Sequence, residues 1–306
     1  MNKEDIEKLL IENTNLFRTL CVYSQAFDII PDNKDHYGAY IKYQDLMELR
    51  TDFLEALEST ITEWVYSFEK RKNLKEEFMS DGWTESQSSH KLISKAKNKF
   101  RGRKTSNNDK LLIQGQLGEL FLFNFIQHFL KAVPLLRKMP ITTSNNMERF
   151  GADAIHYKIE NDKNIIILGE SKVYTSEYSF KKAFGDSIES ILNTYKIHRQ
   201  EIGLYVHEDF LDDKLNKVAE DYINNELENV EVHLVCFVAY NEKKKLSITS
   251  ESEIHSQIED IIKEKYAKFD NNKIDIKNNP ILNRITYIVF PIWKFVDLAK
   301  EFQNMI

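Results

Sequence analysis

The stretch Phe150-Gly151-Ala152-Asp153-Ala154-Ile155-His156-Tyr157-Lys158-Ile159-Glu160-Asn161-Asp162-Lys163-Asn164-Ile165-Ile166-Ile167-Leu168-Gly169-Glu170-Ser171-Lys172-Val173 reads as a β-hairpin. Residues 153 to 159 alternate, Asn161 to Asn164 is a cluster of turn formers, and Ile165 to Leu168 runs into Gly169-Glu170. With the turn centred between Asn161 and Asp162, positions whose numbers sum to 323 face each other, and Asp153 with Glu170 is such a pair. Cross-strand partners on one face lie roughly 4.5–5.5 Å apart at Cβ. The period of two brings Lys172 to the same face. Two carboxylates that close repel by roughly 3 kcal/mol at an effective dielectric of about 20, so the pair calls for a cation. Lys172 supplies part of that charge, and a divalent metal is the natural remainder. Hard oxygen ligands favour Mg²⁺, Mn²⁺ or Ca²⁺ over zinc. The competing reading is a solvated hairpin face with a surface salt bridge, and a slip of one residue would send the acids to opposite faces.

Residues 111 to 130 contain twelve large apolar residues, and Glu119 is their one formal charge. The run has no proline and predicts a well-buried helix. Its four amides, histidine and glutamate argue against a membrane span. A carboxylate in such a helix must be paired or bound to metal. One reading has Glu119 satisfied by an arginine or by backbone amides. The other makes it a third ligand beside Asp153 and Glu170. Gly115 and Gly118 would let a neighbouring strand come close.

An acid at the start of one strand and an acid-x-lysine near the end of the next resembles nucleases of the PD-(D/E)xK type. The fuller string is Gly118-Glu119-Leu120, Lys138-Met139-Pro140-Ile141-Thr142-Thr143, Gly151-Ala152-Asp153-Ala154-Ile155-His156 and Leu168-Gly169-Glu170-Ser171-Lys172-Val173-Tyr174. It resembles the HamA family, nuclease-like subunits of the bacterial Hachiman anti-phage defence system. The resemblance is carried by residues 105 to 200, and elsewhere by the order of elements. It implies a metal-dependent DNA nuclease that works with a helicase partner, HamB, which would restrain it and license it when DNA integrity is disturbed. Carried over residue by residue, Glu119, Asp153 and Glu170 would hold one or two Mg²⁺ or Mn²⁺ ions, and Lys172 would be the catalytic lysine. Ala152 stands where the superfamily's name has proline. A second class of reading is a catalytically inactive nuclease-fold adaptor in a helicase complex. Against it, all four expected side chains are present.

The chain has 306 residues, with 42% hydrophobic and 29% charged. That is the balance of an ordinary soluble protein. Cys21 and Cys236 sit in separate apolar surroundings, so neither a disulfide framework nor a cysteine zinc site is expected. No basic-then-apolar leader opens the sequence, which makes a cytoplasmic location the expectation. The net charge of −6 suits a nuclease that receives DNA from a partner rather than capturing it alone. Residues 91 to 104 nevertheless carry seven basic residues and no acid, including Lys99, Arg101 and Arg103. Such a run is suited to grip phosphates. It is equally suited to a solvated connector. Lys138, Thr142, Lys181 and Lys182 are further candidates for the DNA backbone, with surface roles as the alternative. No helix-turn-helix stands out, which points to low sequence specificity.

Residues 1 to about 88 read as helical, because Leu46, Leu49, Phe53, Leu57, Ile61, Trp64, Val65 and Phe68 recur at steps of three and four. Ser86 to Ser89 reads as loop, and the stretch from 90 to 108 as a boundary. The expected division is an N-terminal helical region with a basic connector over 1–104 and a PD-(D/E)xK-like domain over 105–306. Within the latter, helices are expected over 109–131, 177–199, 211–227, 251–267 and 293–303. Strands are expected over the hairpin and at 203–206, 230–240 and 284–292. The fold class is therefore α/β with a mixed sheet, a restriction-endonuclease-like core flanked by the N-terminal helices. His156 falls on the strand face opposite Asp153, which suits a packing role. His198, His207 and His233 show no ligand spacing.

Overall fold

The computed structural model of the chain describes residues 3–101, 113–137, 151–174, 180–206 and 213–306. Short helices α1 (Lys3–Glu7) and α2 (Thr14–Arg18) precede strands β1 (Leu20–Gln25) and β2 (His36–Ile41). A small ribbon, β3 (Tyr43–Gln44) and β4 (Met47–Glu48), leads into α3 (Arg50–Ser59), α4 (Ile61–Val65), α5 (Phe68–Ser80) and α6 (Glu85–Arg101). Next come α7 (Ile113–Leu130), β5 (Val133–Leu136), β6 (Ala154–Glu160), β7 (Lys163–Tyr174), α8 (Phe180–Tyr205) and α9 (Asp213–Ile223). The chain closes with β8 (Val230–Glu242), α10 (Glu251–Ala267), β9 (Ile285–Trp293) and α11 (Phe295–Met305).

Seven strands form one sheet in the order β1-β2-β9-β8-β7-β6-β5. Its centre, β7-β8-β9-β2, is parallel, and both flanks are antiparallel. This is the mixed α/β fold expected. β8 shows why it sits centrally. Leu234 to Tyr240 is an unbroken apolar run, and every one of its residues is buried. Such a run belongs to a parallel strand covered on both faces.

The two covers are α7 and α8. On one face Phe121 of α7 stacks on Phe237 and Phe290, with ring centroids 4.8 and 4.9 Å apart. A Cβ at Gly118 would come within 2.3 Å of Ser171 Oγ and 2.4 Å of Val173 Cγ2. Only glycine allows α7 to lie that close to β7. On the other face α8 packs its buried stripe, Ala183, Ser187, Ile191, Thr194, His198 and Glu201, at steps of three and four. Among the described residues no helix is long and apolar enough to cross a membrane.

Three expectations are corrected. The N-terminal region is not all helix: β1 and β2 pair antiparallel and join the main sheet through β2 and β9. Their six-residue runs, Leu20 to Gln25 and His36 to Ile41, show no clean alternation and were outweighed by the longer helical periodicity that follows. That periodicity is itself broken into α3, α4 and α5, and Ser67 restarts the last by capping Lys70 N. The basic run is helical as far as Arg101, since α6 starts at Glu85 and includes Ser86 to Ser89. Gly203 to Val206 is no strand, because α8 continues to Tyr205. A packed, amphipathic helix tolerates the cost of one glycine near its end.

Candidate active site

The hairpin has the register expected. Pairs run from Glu160–Lys163 to Ala154–Gly169, and each sums to 323. Asn161 and Asp162 both take left-handed backbone angles, φ 51° and 58°. Two such residues make the tight turn whose twist matches the flanking strands, and Asn and Asp tolerate that conformation best.

The ladder changes at Asp153. Its backbone N donates to Gly169 O at 2.9 Å, one residue out of step with the pairs above it. Its carboxylate takes over where β6 stops, with Oδ2 accepting from Ser171 N at 2.8 Å. Asp153 is thereby held against the exposed end of β7 beside Glu170 and Lys172.

Glu170 is 3% exposed. Its Oε1 accepts from Lys172 Nζ at 2.6 Å and from Ser190 Oγ of α8 at 2.7 Å. Its Oε2 is buried and has no hydrogen-bond partner. Burial, and then the Asp153 charge, push the Glu170 carboxyl up to about 7, against the pull of Lys172 and Ser190. For Lys172, burial works to lower the ammonium's pKa, but Glu170 and Asp153 outweigh it and leave the value raised. Burial and the neighbouring Asp153 charge are thus the two costs of ionising Glu170, and Lys172 offsets part of them.

The loop that delivers Asp153 is pinned from α8. Glu201 is 5% exposed, and its Oε2 accepts from Ala152 N at 3.1 Å. Gly151 has φ +123°, and a Cβ there would fall 2.1–2.4 Å from the Glu201 carboxylate. Both facts require glycine at 151. At the end of β7, Tyr174 OH donates to Asp186 Oδ2 at 2.9 Å. Sequence reasoning missed Ser190 and Glu201. Ser190 and Glu201 lie at three- and four-residue steps from Ser187, Thr194 and His198 along α8, a spacing that ordinary helix residues share.

Glu119 is half-buried on α7. It follows Gly118, whose contact with Ser171 and Val173 sets it at the same end of the strand. Among the described residues no three acid, histidine or cysteine side chains are drawn together as a metal centre. The structure therefore brings together Asp153, Glu170 and Lys172, and leaves Glu119 alongside.

His156 is buried on the α7 face, packed edge-on against Phe123, and burial pushes its pKa down to about 3. A neutral packing residue fits that setting. Lys181 and Lys182 are exposed at the start of α8. Lys99 lies over the Tyr66 ring, 4.9 Å from its centroid. Lys138, Thr142, Arg103 and His207 lie outside the described residues, and Arg101 is the last residue of α6. His198 is bonded to Tyr195 O and Tyr222 OH, and His233 to Glu231.

A family profile described as HamA matches residues 15–306. The chain belongs to the HamA family. The matched residues take in β1 and β2 as well as the hairpin. Membership makes this HamA-family protein a component of Hachiman defence. Comparison with curated proteins gives no match.

Proposed function

We propose that this HamA-family protein is a metal-dependent deoxyribonuclease of low sequence specificity, the effector of a Hachiman complex restrained and licensed by a helicase partner. The observation that carries the reading is Glu170. Its Oε2 is buried without a partner next to the Asp153 carboxylate, and its pKa is raised to about 7. A buried anionic oxygen in that state is costly unless a proton or a cation meets it. The donors are carboxylate oxygens, which suits Mg²⁺ or Mn²⁺. Asp153 and Glu170 would hold one or two such ions, with Glu119 completing the set from α7. When bound, the cation supplies Lewis-acid charge to a phosphodiester and to the attacking water.

The protein's own groups have distinct tasks in this reading. Asp153 is fixed by Ser171 N, so its position does not depend on the ligand. Lys172, held at 2.6 Å from Glu170 Oε1, would place its ammonium beside the phosphate, where it orients the water or stabilises charge in the transition state. Ser190 fixes one Glu170 oxygen, and the other, Oε2, would be the one to meet a cation. Glu201 holds the backbone that presents Asp153.

The inactive-adaptor reading predicts the same fold without turnover. Linear and circular DNA incubated with the protein, alone and with its helicase partner, in Mg²⁺ or Mn²⁺ separates the two. Cleavage that is lost on chelation and in Asp153→Asn supports the nuclease. Complete absence of cleavage with partner and either metal supports the adaptor.

A further inference from the structure

The α5–α6 hairpin carries a feature that the site on β7 does not use. Lys91, Lys95 and Lys99 are spaced four residues apart on α6. That spacing puts them about 6 Å apart along the helix, on one face. Lys91 Nζ lies 4.5 Å from the ring centroids of both Phe78 and Trp83. Lys95 Nζ lies 5.1 Å from Phe78, and Lys99 Nζ 4.9 Å from Tyr66. Stacking on rings fixes the stems while leaving each ammonium its charge and its three donors.

Among the described residues no carboxylate pairs with any of the three. Lys97, on the opposite side of α6, is satisfied: it pairs with Glu58 and donates to Met305 O at 3.0 Å. The contrast separates one structural lysine from a stripe of uncompensated charge. Lys99 has its pKa lowered, by burial first and then by Lys70 and Lys95. Beside the stripe, Trp83 is 43% exposed. It opens a groove of about 490 Å³ lined by Ser86, Gln87, His90, Lys91 and Ser94. An exposed indole with hydroxyl, amide and imidazole groups around it is suited to stack on a base and meet its edge.

From this juxtaposition we infer that the α5–α6 hairpin is a second nucleic-acid contact, where Lys91, Lys95 and Lys99 follow the phosphates of an unpaired strand and Trp83 stacks on one of its bases. Its charge sign selects a polyanion, and the exposed ring selects a strand with free base faces over a closed duplex. The site stands apart from the acids of β7 and does not require that they cut.

The test is binding of the full-length protein to a fluorescent thymidine oligonucleotide in chelator, so that cleavage cannot intervene. Wild-type binding is expected to weaken with salt, and Lys91→Gln/Lys95→Gln/Lys99→Gln to flatten the log–log slope by about 2, at roughly 0.7 per lost phosphate contact. Trp83→Ala is expected to weaken binding about tenfold and to abolish quenching of tryptophan emission by the oligonucleotide. These exposed substitutions should leave the melting temperature within a few degrees of wild type. An unchanged affinity and slope in the triple variant would overturn the inference. So would tighter binding of blunt duplex than of the single strand, or variants that bind DNA normally yet lose a protein partner. The β7 reading is tested separately, by metal-dependent cleavage in Glu170→Gln.

Discussion

Lys172 Nζ lies 2.6 Å from Glu170 Oε1, and the bond is one-sided: Oε2 of the same carboxylate is buried with no hydrogen-bond partner. One oxygen is committed to the lysine and to Ser190, while the other waits for a proton or a cation. Most of the expected behaviour of this site follows from that division.

The first prediction concerns pH. In the folded chain the Glu170 carboxyl is raised from its ordinary 4.5 to about 7. Between those values the folded state keeps a proton that the unfolded state releases. The associated stability is fully present below 4.5 and lost as pH rises through about 7. Glu170→Gln cannot ionise, so in metal-free buffer it should exceed wild type at pH 8 by roughly 1–3 kcal/mol, and by much less at pH 5. Urea titrations at the two pH values measure this. A difference that does not change with pH would contradict the assigned ionisation. In the same way, Mg²⁺-induced thermal stabilisation of wild type should grow with pH up to about 7 and then level off.

A second prediction concerns Ser190. Ser190→Ala removes a donor to Glu170 Oε1 that helps keep the carboxyl ionised. The carboxyl pKa should rise further, and metal affinity at pH 7 should fall by roughly fivefold, the worth of about 1 kcal/mol. Ser190→Thr keeps the hydroxyl and should recover part of the loss. If calorimetric titration with Mn²⁺ gives the same affinity for all three proteins, Ser190 has no part in the site.

Gly151 and Glu201 form a third test. Gly151→Ala places a Cβ against the Glu201 carboxylate at an unfavourable φ, so a loss of about 1–3 kcal/mol is expected. Glu201→Ala leaves Ala152 N without its acceptor and should cost a similar amount, about 1–3 kcal/mol. The double variant removes the clash together with the carboxylate, so its loss should be smaller than the sum by at least about 0.5 kcal/mol. Strict additivity in denaturant midpoints would mean that the two residues do not act on one another.

The contact between α7 and β7 gives a fourth. Gly118→Ala forces Ser171 or Val173 to move and should destabilise the protein by about 1–3 kcal/mol. Gly185, whose added Cβ would meet nothing within 4 Å, is the control on α8. Gly185→Ala should be neutral or stabilising by up to about 1 kcal/mol.

Much of this was legible because strong local signals coincide with the final fold. The Asn161-Asp162 turn fixed the hairpin register, and the greasy run around Glu119 fixed the buried helix. The apolar run of β8 and the helix at 251–267 were equally plain. What stayed hidden depends on tertiary partners. β1 and β2 are short strands, the first half-buried and the second buried, that become visible only through the edge they join on β9. The one-residue slip at Asp153 comes from the glycine turn that Glu201 pins, and nothing in the strand's alternation signals it. Ser190 and Glu201 look like ordinary helix residues until α8 is laid across β7. The lysines of α6 read as a charge run, and only packing divides them into the paired Lys97 and the ring-stacked stripe.

The most direct measurement is metal-dependent DNA cleavage by Glu170→Gln, followed beside its folding stability. The carboxamide keeps the shape of Glu170 and removes the charge that would hold the cation. Glu170→Gln should be at least as stable as wild type at pH 8, and its cleavage with Mn²⁺ and partner should fall by about 100-fold or more. A stable Glu170→Gln protein that cuts DNA at the wild-type rate would contradict the role proposed for Glu170.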